Sequence, residues 1–199
     1  MNKIAIIGYG SLIWDPRNLQ IDKQVGEDGW HVAGLTLPVE FARLSSRDRL
    51  TLIITEEFGQ ECPVFYALST LRNLNKAIGN LHEREGSHEI GYFNLKNGTG
   101  RRHHCSPGTA EKIRLWAIER HFDGVIWTDL ERNFPDGGKV PFSVEKALEF
   151  LEGLGKKKSE APREYFEKAP KEINTPLRRA VADQLWPHEF NRQNAGQQA

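Results

Sequence analysis

A short run rich in β-branched residues, Ile4-Ala5-Ile6-Ile7, ends at Gly8-Tyr9-Gly10-Ser11-Leu12. Such a run reads as a buried first strand, and the glycines behind it as a tight turn. What the turn can be is narrowly limited. A dinucleotide-binding turn needs a third glycine at position 13, where Ile13 stands, and no β-α-β pattern follows. A P-loop needs Gly-Lys-Ser/Thr, which is also missing. Nicotinamide, flavin and P-loop nucleotide binding are excluded on these grounds. Two readings remain: a plain turn, or one whose backbone N–H groups point at a small anion beside the Ser11 hydroxyl.

The pattern stays strand-like over residues 30–68, with polar connections at 45–49 and 56–60, and predicts an antiparallel meander. Ser69 or Thr70 then caps a helix whose apolar positions Leu71, Leu74, Ala77, Ile78 and Leu81 recur at helical spacing. Strands are predicted again at 90–95, 112–118 and 125–128, with a polar, Gly-containing loop over 96–110. After Ser143 the pattern changes to helices: one with Val144, Ala147, Leu148 and Leu151 on a face, then two over 163–169 and 176–186. Lys156-Lys157-Lys158 reads as a solvated connector. The expected class is α+β. The expected division is a β-rich domain over 1–142, a helical C-terminal extension packed on it over 143–190, and a disordered tail over 191–199.

At 199 residues the chain is long enough to bury a core of its own. Lys and Arg number 27 and Asp and Glu 27, so no basic surplus draws the whole surface to nucleic acid or an anionic membrane. The uncharged stretch behind Lys3 is too short and too broken by glycine to span a bilayer, and it lacks the cleavage pattern of a signal peptide. Cys62 and Cys105 form no C-x-x-C pair, which predicts free thiols and a cytoplasmic setting.

A second segment carries possible chemistry: Leu81-His82-Glu83-Arg84-Glu85-Gly86, at the end of the first helix. Leu81 and Glu85 are four apart and share a face, so Glu85 should point inward while Glu83 and Arg84 reach solvent. A carboxylate withdrawn from water titrates above about 4.3 and becomes a useful base near neutral pH. The alternative is a glutamate that only bonds a nearby backbone group or arginine.

Taken together, the strand followed by Tyr9-Gly10-Ser11-Leu12, the Glu-x-Glu-Gly around Glu85 and the Tyr92 seven residues later resemble the gamma-glutamylcyclotransferase-like superfamily. The opening Tyr-Gly-Ser-Leu-Ile-Trp resembles its ChaC-type branch. The wording around Glu85 is closer to the gamma-glutamylcyclotransferase branch proper, from whose first motif Leu12 departs. The resemblance covers about residues 3–130. It implies a small mixed β-barrel with flanking helices. It also implies an intramolecular reaction in which the α-amine of a γ-glutamyl group attacks its own γ-carbonyl, releasing 5-oxoproline and a free amine. Glu85 would be the general base, and the N–H groups of Tyr9, Gly10, Ser11 and Leu12 would hold the substrate α-carboxylate. Tyr92 would bond near the reacting carbonyl or steady Glu85. No metal or cofactor is implied, since nucleophile and electrophile share one molecule. The only partner expected is a small γ-glutamyl compound.

A different class of function stays open: a non-catalytic module holding a small carboxylate in the same pocket. The Arg101-Arg102-His103-His104-Cys105 stretch reads as a mobile loop, an anion contact or a metal site, although adjacent histidines on an extended chain point apart. The 96–110 loop is the expected selector of the leaving group. Trp14, Trp30, Trp116 and Trp127 are expected core or pocket-wall aromatics, and His121 and Asp123 turn residues.

Overall fold

The structure, a computed structural model, describes residues 2–26 and 28–187. Its first strand, β1 (Ile4–Gly8), is buried at every position. The alternation explains why: Ala5 and Ile7 enter one hydrophobic cluster, Ile4 and Ile6 a second on the other face. Six further strands complete one sheet: β2 (Trp30–Ser45), β3 (Arg49–Ile54), β4 (Gln60–Leu68), β5 (Ile90–Asn94), β6 (Thr99–Arg101) and β7 (Gly124–Thr128). Their order is β3-β2-β4-β1-β7-β5-β6. β1 and β7 run parallel, and the remaining pairs are antiparallel.

The predicted meander is corrected by this order. β2 lies between β3 and β4, because it spans 16 residues. Its first part, Trp30 to Val39, pairs with β4, and its last part, Val39 to Ser45, pairs with β3. The α+β class holds, with a mixed sheet and helices on it. Its end strands β3 and β6 are not neighbours, so the sheet is open rather than closed into the expected barrel.

The first helix, α1 (Leu74–Glu85), starts one turn later than the sequence suggests, capped by Asn73, whose side chain accepts from Lys76 N. Residues 112–118, predicted as a strand, lie in α2 (Pro107–Glu119). Ser106 caps it and Pro107 opens it. Its buried residues Ile113, Trp116 and Ala117 have helical spacing, while Leu115 and Ile118 face solvent. Lys156-Lys157-Lys158, expected as a connector, lies instead in a helical turn, α4 (Gly155–Lys158). α3 (Val144–Gly153) begins behind Ser143 as predicted. α5 (Glu160–Lys168) and α6 (Pro176–Ala180) follow, the latter running on as a π-helical turn. The expected tail over 191–199, and the last residues of the extension, lie outside the described residues.

The C-terminal helices are not an appendage. Leu148, Tyr165, Phe166, Leu177 and Val181 belong to the same cluster as Phe41, Leu50 and Leu52 of the sheet. Phe166 stacks on Phe41 with ring centroids 4.2 Å apart. A polar lock reinforces this contact. Fully buried Glu40 of β2 accepts from Thr175 Oγ1 at 2.5 Å, from Phe41 N at 2.8 Å and from Leu177 N at 3.3 Å. Arg178 donates to the carbonyls of Ala169, Pro170 and Ile173.

Burial raises the Glu40 pKa against those hydrogen bonds. A raised folded-state pKa means a contribution present below the unfolded value and lost as pH rises through the folded one. Denaturant melts should therefore show wild-type stability falling relative to Glu40→Gln as pH climbs from about 4.5. A constant difference between the two proteins would place the Glu40 proton elsewhere.

No helix among the described residues is long and apolar enough to cross a membrane.

Candidate functional site

β1 and β7 are parallel, and at their C-terminal ends Tyr9, just past β1, and Thr128, the last residue of β7, line a cavity of about 360 Å³. A crevice at the carboxyl ends of parallel strands is where an open sheet usually exposes backbone to a ligand. The remaining walls are the turn after β1, the end of α1, the β2–β3 hairpin and α5.

The turn after β1 is wound like a first helical turn. Ile13 N donates to Gly10 O at 3.1 Å and Asp15 N to Ser11 O at 2.9 Å. The carbonyls are thus engaged inside the turn, which leaves the N–H groups ahead of them for other partners. Glycine is required here by close approach. A Cβ on Gly8 would come within 2.4 Å of the Trp30 ring, and one on Gly10 within 2.9 Å of the Tyr165 hydroxyl.

Tyr9, Gly10, Ser11 and Leu12 all line the cavity. Tyr9 donates to Thr128 O at 2.6 Å. Its own ionisation is pushed far up, by burial first and then by the charges of Asp129 and Glu85. The Leu12 side chain is buried in the second cluster, packed with Leu19 and Ile21.

Glu85 is the last residue of α1, because Gly86 turns left-handed (φ 66°) and returns its N–H to His82 O at 2.7 Å. Its side chain is 15% exposed and lines the cavity. Burial raises its pKa, against the opposing influence of Arg84, Arg17 and Arg43. Arg84, expected to reach solvent, is instead buried. Its Nε and Nη2 donate to Asp15 O at 3.1 and 2.7 Å, and Nη2 also to Ser11 Oγ at 3.0 Å. Curling back on the turn satisfies a guanidinium that packing has withdrawn from water. Its Nη1 stands 3.4 Å from Glu85 Oε1, so it ties the Glu85 carboxylate and the turn into one unit.

Tyr92 does not reach this cavity. The register pairs Ile90 with Thr128 and Tyr92 with Ile126, two residues back from the strand ends that open on the site. Its ring packs on the second cluster beside α1. The tyrosine that does enter is Tyr165 of α5. Its phenol is pushed up to about 12 by burial, with the Glu85 charge acting in the same direction and the nearby backbone N–H groups of Leu52 and Ser11 against it.

Arg17, Arg43 and Arg49 add to Arg84, so four guanidinium groups face one carboxylate, Glu85, around the cavity. Arg43 donates to Glu131 O at 2.6 Å, Arg49 to Ser46 O at 3.1 Å, and Arg17 pairs with Asp15 at 3.3 Å. Each keeps further N–H groups. The site is thus electropositive, although the chain as a whole has no net charge. No pattern around Arg43, Arg49 or Tyr165 marks them in the sequence, since they meet only when the hairpin and α5 pack together.

The 96–110 segment, expected to select the leaving group, contributes no lining residue. Nor is its basic stretch a free loop: Asp129, 1% exposed, accepts from the backbone N–H groups of His103 at 2.5 Å, His104 at 3.2 Å and Cys105 at 2.9 Å. The two histidines do not point apart as expected: their rings lie 6.2 Å apart with planes 25° from parallel. His103 Nε2 is buried without a partner, and His104 Nε2 lies 2.9 Å from Glu89. Glu89, His104 and Glu131 could together offer ligand atoms to a metal ion, all within 4.8 Å of one another, but none of them lines the cavity. Cys62 and Cys105 are free and buried, and burial beside Asp129 drives the Cys105 thiol up, away from the reactive thiolate.

Comparison with known proteins returned no matching family model, no similar curated protein and no similar solved structure.

Proposed function

We propose that the protein is a cyclotransferase acting on γ-glutamyl amides, with Glu85 as its general base. The observation that carries this reading is the position of Glu85. It is a largely buried carboxylate with a raised pKa, on one cavity wall with the Tyr9–Leu12 turn. The substrate α-carboxylate would sit against the N–H groups of that turn and the Ser11 hydroxyl. The α-ammonium would face Glu85. Bound in this way, the amine is held near its own γ-carbonyl, and ring closure is favoured by proximity. The arginine excess suits an anionic ligand and, on the leaving half, a second carboxylate. The mixed sheet, with long β2 shared between two partners and helices on it, is compatible with an opened form of the barrel that the resemblance implies. Free thiols suit the reducing cytoplasm.

The test is mass-spectrometric detection of 5-oxoproline from purified protein given glutathione, γ-glutamyl amino acids and γ-glutamylamines. Release is expected, with γ-glutamyl amino acids and peptides ahead of γ-glutamylamines that lack a second carboxylate. Silence across the panel from folded protein would replace this reading with that of a carboxylate-binding module.

A further inference from the structure

Two buried tyrosines line the cavity, and their protons are disposed differently. Tyr9 donates to the Thr128 carbonyl at 2.6 Å. Tyr165 is only 6% exposed, and a tyrosine this buried ordinarily has a partner for its O–H. The backbone N–H groups of Leu52 and Ser11 address its oxygen, which leaves the phenolic proton. Among the described residues only those N–H groups bond the phenol, no acceptor does, and the residue lines the cavity.

The ring is fixed in place. It meets the edge of Trp14 at 5.1 Å and of Phe41 at 6.1 Å, under the Arg49 guanidinium at 5.9 Å. The hydroxyl stands against Gly10, where a Cβ would come within 2.9 Å of it. A buried, neutral O–H therefore shares one cavity with the Tyr9–Leu12 turn and Glu85.

We propose that Tyr165 is a catalytic residue of the site, its O–H donating to the γ-carbonyl oxygen of the bound amide. The inference rests on the cyclotransferase reading. Glu85 takes a proton from the α-ammonium, and the freed nitrogen pair forms a bond to the γ-carbon. The C=O π pair moves to oxygen, where Tyr165 stabilises the negative charge by hydrogen bonding and keeps its own proton. The oxygen pair then re-forms C=O as the bond to the leaving nitrogen breaks. Two protons leave the α-nitrogen in all, and Glu85 relays both to the departing amine. The helical C-terminal segment thus supplies a working group rather than a lid.

The experiment compares wild type, Tyr165→Phe and a ring-fluorinated tyrosine at position 165, on glutathione and γ-glutamylglycine. The Phe variant keeps the ring packing, and it should lose about 10²–10³-fold in kcat with KM little changed. The fluorinated residue keeps the hydroxyl and strengthens it as a donor, so kcat should be retained or raised. A Phe variant with wild-type kcat, or with a loss carried by KM alone, would overturn the proposal while leaving the cyclotransferase reading intact. Absence of 5-oxoproline from the wild type itself would overturn both.

Discussion

Glu85→Gln should lower kcat/KM for 5-oxoproline release by about 10²–10⁴-fold while the far-ultraviolet circular dichroism stays that of the wild type. Glutamine fills the same volume and keeps an acceptor toward Arg84, but it takes up no proton from an ammonium group. The size of the effect follows from the environment of Glu85. Burial raises its pKa against three arginines, which brings the carboxylate nearer to the basicity its task needs. Its stability effect has the opposite sense. A raised pKa marks a group whose ionised form is disfavoured by folding, so stability is lost as pH rises through that pKa. The Gln variant should therefore melt no lower than wild type at neutral pH. Turnover close to wild type in the purified variant would remove Glu85 from the mechanism.

The second large effect is expected at Arg84. Arg84→Met keeps the aliphatic bulk and removes donors to Asp15 O and Ser11 Oγ. Losing charge-assisted bonds to the Asp15 carbonyl and Ser11 hydroxyl from a buried guanidinium should destabilise the protein by about 1–3 kcal/mol in urea melts. The same change removes the cation that does most to lower the Glu85 pKa. That pKa should then rise further, and the acid limb of the kcat/KM profile should move to higher pH. A limb that stays in place, in a variant that still turns over substrate, would show that the ionisation it reports is not that of Glu85.

The parts of the site that could be read from the chain are the local ones. A strand broken by glycine announces the Tyr9–Leu12 turn, and the Leu81–Glu85 spacing with Gly86 behind it puts Glu85 at the inward edge of a helix end. Arg84 was misplaced because helical spacing locates a side chain's root, whereas a long guanidinium settles where carbonyls are. Tyr92 was misplaced because its role depends on how far along β7 it pairs, which strand alternation does not specify. Residues 112–118 deceived because Ile113, Leu115 and Ala117 alternate like a strand while Ser106-Pro107 starts a helix. Arg43, Arg49 and Tyr165 carry no local mark. A bent β2 and a C-terminal helix bring them together, and neither element refers to the other in sequence.

That last contact has a consequence in time. During synthesis the Tyr9–Leu12 turn is made first, and β2 and β3 soon after, but the ring that closes over Gly10 belongs to residue 165. Until α5 emerges and Phe166 seats on Phe41, the cavity has no floor on that side and the sheet's apolar face lies open. A nascent chain released too early would carry the Tyr9–Leu12 turn and Glu85 and yet lack one wall of the cavity. The pocket is complete only once α5 has packed on the sheet.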